Sequence, residues 1–237
     1  MARTIGCAVS IAGIILTSVA VITLLIVLFR EHTLEKARKE AEAVEEARLA
    51  AEAFQQQQIV TLTLGNDVKL KMVKVEKGSF QMGSNDGNSY EKPVHKVTLT
   101  KDFWIGETEV TQSQYKTVMG KNPSSFKKGG NYPVECVSWY DAMAFCRKLT
   151  ELERSAGRLP KGYEYTLPTE AQWEYAARGG KSKGYEYSGS DDLGEVGWSW
   201  DNSNGATHSV RQKKPNELGL YDMSGNVYEW CRDWYGV

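Results

Sequence analysis

Two carboxylates, Asp222 and Glu229, stand on either side of a Ser224-Gly225-Asn226 turn near the end of the 237-residue chain. A turn of that kind lets backbone carbonyls converge beside side-chain oxygens, which suits a hard cation taking about 6–8 oxygen ligands at flexible geometry. The same residues also read as a plain turn, with Asp222 and Asn226 bonding only local backbone. Cys7, Cys136, Cys146 and Cys231 offer thiol chemistry. Of these, Cys136, Cys146 and Cys231 fall in the C-terminal part, and an odd number leaves one without an internal partner unless buried free thiols are the rule there. His32, His95 and His208 are scattered without ligand spacing and read as satisfied turn or loop residues. The tryptophans Trp104, Trp139, Trp173, Trp198, Trp200, Trp230 and Trp234 either line a groove or fill an aromatic core.

The elements that must position these groups fall into unlike segments. Lysine and arginine number 29 against 30 aspartate and glutamate, so no one-signed surface points to nucleic acid. After a short tail, residues 1–4, residues 5–29 carry no charge and exceed the roughly 20 residues a helix needs to cross a bilayer. A single transmembrane helix is expected there. A cleavable signal would have a shorter apolar core of about 7–15 residues and a small-residue cleavage site, whereas Arg30-Glu31-His32 comes directly after the run. By the positive-inside rule alone, Arg30, Lys36, Arg38 and Lys39 would keep the C-terminal domain in the cytoplasm. Residues 30–58 are rich in alanine and charge and free of glycine and proline, so they read as a helical stalk. Leu34, Ala37, Ala41, Val44 and Ala51 could form a coiled-coil seam, which Arg48 interrupts; a solvated spacer laced with i,i+4 ion pairs is the other reading.

Residues 59–237 form one glycine-, tryptophan- and tyrosine-rich domain with short apolar runs. Alternation predicts strands over 60–64 and 69–75 around the turn Gly65-Asn66-Asp67, with further short strands over 94–100 and 103–105. Residues 78–84 read as a tight glycine loop. Thr111 is placed to cap a helix over 112–119 that Gly120 and Pro123 end. Ser138, with Asp141 three residues on, caps a second whose stripe is Ala142, Phe145, Leu149 and Leu152 and whose buried face also holds Cys146. Thr169 and Gln172 form a capping box for a third, with Trp173, Ala176 and Ala177 inward and Gly179-Gly180 at its end.

A set of ordered landmarks runs through this domain: Met82-Gly83-Ser84, Glu91-Lys92-Pro93-Val94-His95, Glu109-Val110-Thr111, Asn122-Pro123-Ser124, Pro133-Val134 with Val137-Ser138-Trp139, Leu167-Pro168-Thr169-Glu170 with Trp173-Glu174-Tyr175-Ala176, and the run from Gly219 to Trp230. Together they resemble the formylglycine-generating enzyme (sulfatase-modifying factor) family, whose domain also occurs in ergothioneine-type sulfoxide synthases and in regulatory and display proteins. The resemblance implies an α+β, C-type-lectin-like fold with much irregular structure, here preceded by the transmembrane helix and stalk. It implies a structural calcium held by the carboxylates of Asp222 and Glu229 and the carbonyls of Gly225 and Val227. The family's activity is the copper- and oxygen-dependent oxidation of a sulfatase cysteine to formylglycine. Its copper-binding cysteines would lie past Val237, so no catalytic residue is assigned here, copper is expected only with that region present, and the domain is expected to be incomplete. A non-catalytic, calcium-braced module that binds a protein or glycan ligand at the membrane is the alternative. The family's use of disulfides and calcium favours an extracytoplasmic domain.

Overall fold

The computed structural model describes residues 11–180 and 184–234, with side chains described from residue 21 onward except residue 22. Helix α1, Ile11–Gln55, runs through the second part of the apolar segment and most of the expected stalk. The expected membrane span falls largely on residues, or side chains, outside the described ones; among those described, no helix is long and apolar enough to cross a membrane. On the exposed part of α1, Glu35 and Lys39 pair at 2.8 Å and Arg38 and Glu42 at 2.7 Å, each a one-turn ion pair.

The chain divides into two compact units, residues 1–53 and 54–237. The second begins earlier than composition suggests. Phe54 packs on Trp104 and Tyr163 at ring-centroid distances of 4.9 and 5.0 Å, and the Gln57 carbonyl accepts the Trp104 indole N–H at 3.0 Å. Phe54 thus belongs to the domain through an aromatic cluster that charge patterning does not reveal.

Within the domain, β1 (Ile59–Gly65) and β2 (Val68–Val75) form a hairpin, and β5 (Phe103–Gly106) pairs on the other side of β2 in a three-stranded antiparallel sheet. Asn66 and Asp67 both take positive φ, 47° and 62°, the two-residue geometry that matches strand twist. Leu62 and Leu70 face each other across the hairpin and are buried. A second, two-stranded sheet pairs β3 (Gly78–Met82) with β4 (His95–Leu99). Residues 78–82 are therefore a strand and not the expected tight loop. Gly78 is needed there for close approach and not for turning, because a β-carbon would run into the Tyr175 hydroxyl. The turn itself falls at Gly83, φ 95°.

Helices α2 (Gln112–Met119), α3 (Trp139–Ser155) and α4 (Glu170–Ala177) start at the expected caps. Gln114 N–H donates to Thr111 Oγ1 at 3.3 Å, Asp141 N–H to Ser138 Oγ at 3.2 Å and Gln172 N–H to Thr169 Oγ1 at 3.2 Å, each box closed by the reciprocal side-chain bond. One stripe residue differs: Leu152 is exposed, and Glu153 occupies the inner position, 1% exposed, with Arg158 bonded to both its oxygens. A last short helix, α5, covers Leu193–Val196. The core has two parts. Leu62, Leu70, Tyr115, Val118, Phe145 and Leu149 form one, with Tyr115 and Phe145 stacked at 5.6 Å; Val75, Phe80, Tyr175, Ala176, Leu220 and Met223 form the other. Leu149 is 2% exposed. Leu149→Ala should lower unfolding stability by about 2–5 kcal/mol in a urea titration, and a loss under about 0.5 kcal/mol, the size of an ordinary surface change, would contradict this placement.

Candidate functional site

Residues 197–198 and 222–230 are irregular, and their geometry is fixed by glycine and by side-chain bonds. Asn226 N–H donates to the Trp198 carbonyl at 2.8 Å. The two backbones approach so closely that a β-carbon on Gly197 would meet the Ser224 carbonyl and one on Gly225 the Trp198 carbonyl. Gly225 also takes φ 123° and Asn226 φ 61°, conformations that glycine and asparagine tolerate best. Asn226 Oδ1 accepts His208 N–H at 2.9 Å.

Asp222 is 2% exposed. Its Oδ2 accepts Arg211 N–H at 2.8 Å, whereas its Oδ1 is buried with no hydrogen-bond partner. From the connection between β5 and α2, Glu109, 5% exposed, reaches the same loop. It accepts Asn226 Nδ2–H at 2.9 Å on Oε2 and Val227 N–H at 3.2 Å on Oε1. Glu229 is exposed as a residue, but its carboxyl group is crowded by protein, and the carboxyl's own surroundings govern its titration.

All three carboxyls are pushed up from their ordinary values, Glu109 well above. Burial is the main cause for each. The charges of Glu229 and Asp222 add to it for Glu109, and that of Asp222 for Glu229, which reaches about 7 despite the Trp173 indole nearby. Among the described residues, no lysine or arginine charge contributes to any of them. Buried charges without a countercharge are costly unless they are protonated or bind a cation. Among the described residues no three His, Cys, Asp or Glu side chains stand close enough together to hold a metal by themselves. An ion here would depend on backbone carbonyls as well. The orphaned Asp222 Oδ1 is compatible with such an ion, and the residues present fit a hard, oxygen-liganded cation.

Cys136 is exposed with φ 59°, its sulfur 3.6 Å from Ser125 Oγ; Cys146 is buried in the first core; Cys231 is half-buried, and all three are free thiols. Burial raises Cys146 to about 11, and burial followed by Glu170 raises Cys231 well above the ordinary thiol range. The histidines of the domain are satisfied: His95 Nδ1 lies 3.0 Å from the Pro93 carbonyl and His208 Nε2 2.9 Å from that of Ser203, with His208 stacked on Trp198.

The tryptophans divide. Trp200 and Trp234 are exposed at 88% and 94%. Trp104 and Trp230 line a largely apolar cleft of about 480 Å³, together with Tyr163, Val137, Val227 and Glu229. The cleft opens beside β5, whose side away from β2 has no strand partner among the described residues.

Short strands, three capped helices and long glycine-fixed loops around two cores define an α+β domain with an acidic loop. The family emerges from comparison with known proteins. The model of the sulfatase-modifying factor enzyme 1-like domain matches residues 64–237, and the chain belongs to that family. The chaperone protein LppX of Paenibacillus barcinonensis is 40% identical over 217 residues, covering 73% of this chain and 75% of that protein. The formylglycine-generating enzyme of Streptomyces coelicolor is 29% identical over 231 residues, covering 69% and 68%. Among solved structures, Treponema denticola variable protein 1 superposes with a TM-score of 0.65 at 35% identity, over 76% of this chain and 78% of that one.

Sequence reading placed Asp222 and Glu229 at the loop but left Glu109 only as part of a landmark. The signal was a carboxylate flanked by Val110 and Thr111 at a helix entrance, with no cue to a partner 117 positions away. The raised pKa values fix a sign. In chelator, each carboxyl holds its proton more tightly folded than unfolded, so this contribution to stability is greatest below the ordinary carboxylate range and is lost as pH rises through about 7. The melting temperature of the metal-free domain should fall between about pH 5 and pH 7.5, and Glu229→Gln should flatten that fall; an unchanged slope would contradict the assignment.

Proposed function

We propose that this chain is a membrane-anchored, calcium-braced binding module of the family, whose ligand surface is the aromatic cleft and whose partner is a protein segment. The observation that carries the reading is that the loop bearing the uncompensated carboxylates is also a wall of that cleft: Val227, Tyr228, Glu229 and Trp230 line it, as does Glu109. A calcium ion held by Asp222, Glu229 and the carbonyls of Gly225 and Val227 would neutralise the loop and fix the wall. The apolar cleft beside β5 suits an extended polypeptide as ligand, whose side chains would fill the groove. The name of the chaperone relative is in keeping with a protein partner.

Anchoring rests on the uncharged run of residues 5–29, and an extracytoplasmic domain on the family's usual setting. Accessibility to an added protease on intact cells tests the second point. Cys136, Cys146 and Cys231 are free thiols, and Cys146 is part of the hydrophobic core. Incubated with a sulfatase-motif peptide, cuprous ion and oxygen, the chain should yield no aldehyde; turnover lost in Cys231→Ser would overturn the reading.

A ligand that binds only the folded state stabilises it by about 2.7 kcal/mol at a hundredfold excess over Kd. Calcium should therefore raise the melting temperature measurably and chelation should reverse the shift. Asp222→Ala and Glu229→Ala should each remove most of the response, while Asp233→Ala, which lies outside the loop, should retain it. A parent indifferent to calcium would leave 222–229 as a turn only.

A further inference from the structure

We propose that Glu109 is a positioning residue of the cation loop, acting through its two hydrogen bonds to Asn226 and Val227. The inference rests on the calcium reading above and assigns a role to a residue that no motif places there. Both oxygens of Glu109 are occupied by the loop, Oε2 by Asn226 Nδ2–H and Oε1 by Val227 N–H. An amide N–H and the carbonyl of the same trans peptide point in opposite directions. Holding Val227 N–H therefore fixes the Asn226–Val227 peptide, with the Asn226 carbonyl directed away from Glu109, and so sets the backbone leading into Val227, whose own carbonyl belongs to the next peptide. The preceding peptide is fixed in the same way by the bond from Asn226 N–H to the Trp198 carbonyl, which directs the Gly225 carbonyl away from Trp198. Two successive peptides are thus set from two sides, one by backbone and one by Glu109.

A second observation points to a ligand at the loop. Asp222 is 2% exposed, and its Oδ1 has no partner although Oδ2 is bonded to Arg211 N–H. Among the described residues no cationic side chain neutralises the group: Arg211 directs its guanidinium to Glu107 at 3.4 Å and to the Tyr221 ring instead. A loop with a buried free oxygen and carbonyls held in fixed directions is prepared for a cation, and the bonds of Glu109 maintain that preparation without requiring the ion. A glutamine at 109 keeps the shape of the side chain but offers one acceptor in place of two, so one of the two loop bonds must fail.

The test uses the whole chain in detergent and measures calcium affinity by isothermal titration, alongside the melting temperature in chelator. For Glu109→Gln the expected result is a calcium Kd raised about tenfold, with a calcium-free melting temperature within a few degrees of the parent. Should Glu109→Gln unfold, Glu109→Asp, which keeps both acceptors on a shorter stem, should fold and still weaken calcium. Parent binding with an unchanged Kd in a folded Glu109 variant would overturn the positioning role and leave the calcium reading standing. Absence of calcium binding by the parent would overturn both.

Discussion

The bond from Glu109 to Asn226 and Val227 joins the entrance of α2 to a loop 117 positions later, and the second half of the domain is organised around it. A buried carboxylate facing two others is an unfavourable arrangement on its own. It persists here because neutral donors take up its oxygens and because glycines at 197 and 225 allow the neighbouring backbones to meet. That loop then continues into Val227, Tyr228, Glu229 and Trp230, which wall the cleft. One electrostatic arrangement thus reaches a large apolar opening on the domain.

Local chemistry made much of the fold legible. Capping boxes at Thr111, Ser138 and Thr169 marked helix starts because the motif is satisfied by residues three apart, and alternation marked the β1–β2 hairpin. What failed depended on distant partners. Gly78 looked like a turn residue, although its role is to admit the hydroxyl of Tyr175, far along the chain. Phe54 looked like stalk because its partners, Trp104 and Tyr163, are remote. Leu152 fell at helical spacing but lost the inner position to Glu153, whose burial is made tolerable by Arg158. At the site, Asp222 and Glu229 were legible as carboxylates bracketing a turn; Glu109 was not, since a single acid at a helix entrance has many ordinary uses.

Family membership leaves the chemistry open, because the same domain carries both an enzyme and a chaperone by name among its relatives. Of the thiols present here, Cys146 is packed between aromatic and aliphatic side chains, and Cys231 is half-buried among carboxylates that disfavour its anion. A cation at the loop would be compatible with either activity, since it would act on the scaffold. What separates a binding module from an oxidase is the use made of the cleft and the state of the cysteines.

The central claim is that the loop of 222–229 holds a hard cation, and terbium, which substitutes for calcium and emits when a nearby tryptophan is excited, tests it directly. Trp173 lies beside the Glu229 carboxyl, within range for that transfer. Tryptophan-sensitised terbium emission should appear on titration, disappear on addition of excess calcium and be absent in Asp222→Ala. Emission that is missing from the parent, or that excess calcium leaves unchanged, would contradict the account.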